Sequence, residues 1–433
     1  MTLTDQEAPA AGPPAGDERP ASNNPLRVAQ LLAALAIVTI LFVALGWGYL
    51  LLFIAILVAI VMLHELGHFV TAKRAGMKVT EYFVGFGPRL WSVRRGETEY
   101  GVKAIPAGGY VRIVGFTSTE EVPEEDEPRA YRQQPFHQRI IVASAGSAMH
   151  FLIAFVLALV LVLTYGKATN NYTIASLEKW AGKETPAAAA GLKPGDTIVS
   201  IDGKTFTNPN SMTDVIKRSV GTPLRLGVER DGRLIEVTAT PANGKGITVD
   251  GQQLENRGYL GVEITRATTP VGLLASVGES FTTMWQVTDE EMTGIAQTFS
   301  PHGVESLYQQ VTNPKAAQSV ANNPGSAPRP VSIVGIANLG AQSERAGLAA
   351  VLMLLIAINI VFGILNMLPM IPLDGGHVAI AVYEWARTKK GEPYYRADIT
   401  KLLPVAALFI GLLALFVFAG IYLDITHPLQ LPH

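Results

Sequence analysis

Residues 28–63 form a run of 36 positions without one charged side chain. One straight helix of that length would reach about 54 Å, against a bilayer hydrocarbon core of roughly 30 Å. Two spans therefore fit better than one, with a break near Gly46-Trp47-Gly48, although so short a break is tight for a hairpin. A cleaved signal peptide fits less well, because no small-residue cleavage site stands out and only Arg27 is basic at its start. Apolar runs long enough to cross follow at residues 140–165, 348–367 and 402–423. Charged residues make up only 16% of the chain, where a soluble protein carries about 25%. The expected fold is a polytopic α-helical membrane protein with four core spans, and a fifth at the N-terminus if the first run is two.

Between the spans the character changes. Residues 71–139 hold 11 Lys and Arg, and the connection 378–401 holds Arg387, Lys389, Lys390, Arg396 and Lys401. These segments fall on one side by parity, and the positive-inside rule makes it the cytoplasm. Residues 166–347 and the C-terminus then lie outside. The net charge of −2 gives no reason to expect nucleic acid as a partner. The chain has no cysteine, so any metal must be held by His, Asp or Glu.

The basic segment alternates at residues 80–86, 90–95, 99–105 and 110–114, punctuated by Gly96 and Gly108-Gly109, which predicts β-hairpins. The acidic stretch 120–127 reads as a solvated loop. Outside, residues 190–204 (AGLKPGDTIVSIDGK) place a Gly-Asp turn before an alternating strand, and Asp202-Gly203 makes a hairpin turn. A helix at 211–219 and strands at 224–229 and 234–239 follow, joined through Asp231-Gly232. This order resembles a bacterial, circularly permuted PDZ domain closing near residues 258–262; a generic small β domain is the plainer alternative.

His64-Glu65-Leu66-Gly67-His68 ends the first apolar run. On a helix His64 and His68 share a face and can bind one ion. Zinc accepts imidazole ligands and keeps an open position for water, from which Glu65 would take a proton. Such groups beside more than thirty uncharged residues are expensive near a bilayer and need a reason. Asp374, in Asn366-Met367-Leu368-Pro369-Met370-Ile371-Pro372-Leu373-Asp374-Gly375-Gly376-His377, is the candidate third ligand. Its Pro- and Gly-interrupted stretch ends another span on the same face, where irregular backbone is tolerated only if buried in protein or lining a wet cavity.

Together with Gly85-Phe86-Gly87-Pro88 and the N-x-x-P-x-x-x-L-D-G pattern beginning at Asn366, these motifs resemble the site-2 protease family of intramembrane zinc metalloproteases, in its bacterial regulator-of-sigma form with one PDZ domain. The resemblance covers roughly residues 48–423. It implies Zn2+ on His64, His68 and Asp374, Glu65 as catalytic base, and Asn366 holding the substrate backbone. Asn359 is a candidate match to an Asn that some members of the family carry, and His377 is expected to be structural rather than a ligand. The resemblance makes the hairpins around Gly85, Gly87, Gly108 and Gly109 a membrane re-entrant β-loop, where an open strand edge could hold an unwound substrate. It implies a multi-pass protein of the bacterial cytoplasmic membrane acting on a transmembrane protein, such as an anti-sigma factor already trimmed outside. Membrane lipid would surround it, and a C-terminal peptide is a candidate ligand of the PDZ domain. The family's Pro and Asn at the second span are replaced by Ser147 and His150.

The expected domains are a disordered tail (1–26), a first membrane region (27–166), the PDZ domain (167–268), an extracytoplasmic linker with an amphipathic helix lying along the membrane (269–347), a second membrane region (348–425) and a tail (426–433). A catalytically dead PDZ scaffold is the alternative function, and the intact set His64, Glu65, His68 and Asp374 argues against it. A zinc transporter fits poorly with so large a soluble insert.

Overall fold

The computed structural model describes residues 25–45, 48–117, 120–178, 180, 184–206, 209–249, 252–253, 256–322, 326–345, 347–389 and 394–429. Most of the expected N-terminal tail and residues 46–47 of the expected break lie outside them. The first apolar run forms two helices, α1 (Pro25–Ala44) and α2 (Gly48–Arg74). Among the described residues, four helices are long and apolar enough to cross a membrane: Leu50–Arg74, Phe136–Tyr165, Leu348–Asn366 and Ile399–Thr426.

After α2 come two long strands, β1 (Val79–Arg95) and β2 (Thr98–Ile113). Both bend. Phe83 stands opposite both Gly101 and Tyr110, and Val84 opposite both Val102 and Gly109. The four alternating runs therefore lie side by side as segments of two folded strands. Gly85 and Gly87, at φ 84° and 82°, and Gly108, at φ 124°, supply backbone angles that a side chain would disfavour at the bends. Phe86, Leu90 and Ile105 are exposed near the bends. Gly109 lies where any Cβ would overlap the Met62 sulfur, so its bareness lets the sheet close onto α2.

α3 (Phe136–Tyr165) leads into a β-rich unit. This comprises β3 (Lys167–Leu177), α4 (Pro186–Ala189), β4 (Thr197–Ile201), α5 (Pro209–Arg218), β5 (Leu224–Arg230) and β6 (Arg233–Ala239). The two-residue strands β7 (Ala242–Asn243), β8 (Thr248–Val249), β9 (Gln252–Gln253) and β10 (Gly258–Tyr259) precede β11 (Val262–Thr269). The main sheet is antiparallel, in the order β11-β3-β4-β5-β6. Asp231 and Gly232, both at positive φ, make the tight turn between β5 and β6. Alternate residues Ile198, Leu226 and Val228 point into a core shared with Leu192 and with Met212 of α5. The chain enters through β3 and leaves through its neighbour β11, so one edge of the sheet carries both tethers.

Four helices follow: α6 (Leu273–Thr298), α7 (Pro301–Thr312), α8 (Pro314–Asn322) and α9 (Ile333–Arg345). α6 packs against α3 and α10 (Leu348–Asn366). Its Val287 joins Ala154, Ala158, Ile356 and Ile360, and Phe281 meets Phe155 at 4.8 Å between ring centroids. Ser276 and Ser280 are fully buried on this helix, and their small side chains permit close packing. α11 (Asp374–Arg387) and α12 (Leu403–Thr426) end the fold.

Candidate active site

Helical spacing puts His64 and His68 one turn apart on α2, where both are buried. They face α3 at Gly146. A Cβ on Gly146 would overlap both imidazoles, so only glycine lets the helices approach this closely. The approach brings His68 Nδ1 to 2.7 Å from the carbonyl oxygen of Val142. That bond assigns the proton to Nδ1 and leaves a bare lone pair on Nε2.

Asp374 arrives from the far end of the sequence as the first residue of α11. The preceding loop folds under the helix so tightly that a Cβ on Gly375 would overlap the Met367 backbone, and one on Gly376 would press on Met370. Asp374 Oδ2 lies 3.4 Å from His64 Nε2 and 3.2 Å from His68 Nε2, and the two Nε2 atoms are 3.2 Å apart. Asp374 Oδ2 is buried and has no hydrogen-bond partner among the described residues. Electron-rich atoms gathered this way repel one another unless a cation lies between them. Ligands at zinc distances of about 2.0–2.2 Å in tetrahedral array stand about 3.3 Å apart, close to each edge of this triangle. The residues fit zinc.

Glu65 Oε2 accepts a hydrogen bond of 3.0 Å from the backbone N–H of Val111 on β2. Beside His64, at 4.9 Å between ring centroids, stands His150, whose Nδ1 is 3.1 Å from Asn359 Oδ1. Asn359 donates to the Leu355 carbonyl at 2.8 Å, which orients its amide. The Ser147 hydroxyl is buried without a partner among the described residues. The Phe116 ring lies 6.2 Å from His68 and 4.2 Å from His377. Burial pushes the His377 imidazole down to about 4, which keeps it neutral.

The structure thus brings His64, His68 and Asp374 together, with Glu65 on the same helix. Asn366 is the last residue of α10, and no hydrogen bond among the described residues joins it to the triad. Gly85, Gly87, Gly108 and Gly109 serve the bends and the packing of the hairpin, which touches the site through Val111. Sequence reasoning missed Gly146. The small-residue run Ala145-Gly146-Ser147-Ala148 was its available signal, since such residues permit close helix approach.

The model of Peptidase family M50 matches residues 52–411. The chain belongs to this family. This M50 peptidase is 31% identical over 416 residues to Zinc metalloprotease Rip1 of Mycolicibacterium smegmatis, covering 89% of this chain and 99% of that one. It is 32% identical over 415 residues to Zinc metalloprotease Rip1 of Mycobacterium tuberculosis, covering 89% and 98%. It is an intramembrane zinc metalloprotease, a multi-pass membrane protein acting on membrane-protein substrates.

Proposed function

We propose that His64, His68 and Asp374 hold the zinc, that Glu65 is the catalytic base, and that the enzyme cuts transmembrane segments of single-span proteins. The observation that carries this is the buried triangle of His64 Nε2, His68 Nε2 and Asp374 Oδ2, with Glu65 beside it on α2. Bound zinc supplies Lewis acidity, polarising the scissile carbonyl and making water easier to deprotonate. Glu65 takes the proton from the attacking water and delivers it to the leaving amine. Val142, through His68 Nδ1, holds one imidazole in its ligating tautomer. Val111, through its N–H, keeps the Glu65 carboxylate from turning away.

In this reading residues 85–110 are the re-entrant loop that receives unwound substrate backbone, with Asn366 assisting. The contact of Val111 with Glu65 and the exposed Phe86, Leu90 and Ile105 support it. The soluble unit at 167–268 is a PDZ domain. Its strand order and its tethering through β3 and β11 support this, as does the start of α6 at Leu273 for the boundary with the linker. The Lys and Arg of residues 71–139 and 378–401 support a cytoplasmic position for the zinc side, and hence an outer position for the PDZ domain, in a bacterial inner membrane. An anti-sigma factor trimmed outside is a substrate of the required form, and its new C-terminus a ligand for the PDZ domain.

Zinc analysis and cleavage of a single-span reporter test the site. Glu65→Gln should keep zinc and lose cleavage, whereas His64→Ala, His68→Ala and Asp374→Ala should lose both. Full zinc occupancy in Asp374→Ala would remove Asp374 from the ligand set. Orientation is tested with single cysteines in this cysteine-free chain. Those at Glu124 and Lys389 should be protected from an impermeant reagent in intact cells, and one at Asn243 should react; the opposite pattern inverts the topology.

A further inference from the structure

A cavity lies against α11, lined among others by Phe116, Arg132, Arg139, His377, Glu384 and Arg396. Phe116 and His377 border the metal triad, since the Phe116 ring also faces His68. The cavity therefore begins where the zinc chamber ends.

Its charge is unbalanced. Three guanidiniums, of Arg132, Arg139 and Arg396, share the lining with two carboxylates, of Glu127 and Glu384. Arg132 is paired with Glu127. Arg139 and Arg396 draw on the same Glu384 oxygen, at 2.6 Å and 3.8 Å. Arg139 is 4% exposed, and its Nε is buried with no partner among the described residues. Burial, and then the neighbouring Arg139 charge, pull Arg396 below the ordinary guanidinium range. One positive charge is left over beside a buried donor, and a singly charged oxyanion would satisfy both.

The reaction makes such an anion. Water oxygen bonds to the scissile carbonyl carbon, the C–N bond breaks, and the proton goes to the leaving amine. The acid formed is ionised at neutral pH, so each turnover leaves one new carboxylate beside the triad. We propose that this cavity receives the C-terminal carboxylate of the cleaved fragment as it leaves the zinc chamber. The lining favours a peptide end over a lipid headgroup. Eight lining residues, including Tyr131 and Gln133, carry polar or charged groups, and the apolar ones form no run that would hold acyl chains.

The inference rests on the assignment of the zinc site, and its test is separable from that assignment. N-acetyl-Leu-Ala-Leu, as free acid and as carboxamide, is titrated into the full zinc-loaded chain in detergent, and again after removal of metal with a chelator. The acid should bind about tenfold tighter than the amide even in the stripped protein, as one charge-assisted contact predicts. Arg396→Gln and Arg132→Gln should each remove most of that preference while the melting temperature holds. Absence of preference in the stripped protein, or a preference indifferent to both substitutions, overturns the proposal. So does Arg396-dependent stabilisation by phosphatidylglycerol over phosphatidylcholine nanodiscs without any preference for the peptide acid, which would assign the cavity to lipid. Binding without cleavage or zinc would instead sink the site assignment alone.

Discussion

The backbone N–H of Val111 reaches the Glu65 carboxylate at 3.0 Å, so the bent hairpin holds the residue next to the paired histidines. The carboxylate position depends on side-chain length. Glu65→Asp retracts it by one methylene, out of reach of Val111 and of the reacting water. Cleavage should fall by about 10²–10⁴-fold, the usual worth of a positioned base, with zinc content unchanged. Steady-state kinetics with metal analysis on the same sample checks this; near-normal turnover would show that the Val111 contact does not matter.

Gly146→Ala places a methyl group where both imidazoles stand. The helices must separate, and His68 loses its bond to Val142. Zinc affinity should drop at least about tenfold, within the range seen when groups that orient ligands are lost. Competition with a fluorescent chelator measures it, with Gly272→Ala as control because a Cβ there meets nothing.

At the far end of α12, Asp424 accepts from Arg329 at 2.7 Å and from the Ser332 backbone and hydroxyl at 2.7 and 2.8 Å. Both charged side chains are buried. Asp424→Ala strands a buried guanidinium and should cost about 3–5 kcal/mol, read as a lower denaturation midpoint in detergent. Replacing Arg329 by Met and Asp424 by Leu together should recover much of the loss.

The hairpin turn carries Glu97, which Arg129, above all, and Lys73 hold down to about 2. A lowered carboxylate pKa stabilises the fold above the ordinary value of 4.5, and that contribution disappears as pH falls through about 2. The pair is partly exposed, so the effect is small. Hydrogen exchange at residues 73–97 should be slower in the wild type than in Glu97→Gln at pH 5 after correction for intrinsic rates. The two should converge toward pH 2.

The two halves of the His64, His68 and Asp374 cluster were legible because each is local. Helical period alone puts His64 and His68 on one face, and the Pro- and Gly-rich stretch before Asp374 marks a chain break at a span's end. The four alternating runs of the hairpin were legible for the same reason, and so was the Asp231-Gly232 turn. β3 escaped notice because its polar Thr169-Asn170-Asn171 carries no alternating apolar pattern; its place comes from pairing with β11, which lies across the whole domain.

By itself the sequence determined the long apolar helices, the paired histidines with their neighbouring acid, and the β-rich insert. These depend on hydrophobic length and periodicity, which act within a few turns of chain. Only the tertiary structure decided that Gly146 forms the floor beneath His64 and His68, that α6 packs against the spans, and that Arg139 meets Glu384 across 245 positions. Such contacts depend on how closely separate helices approach. That distance is set by which side chains are missing or small at the crossing, and no local pattern records which helices will cross.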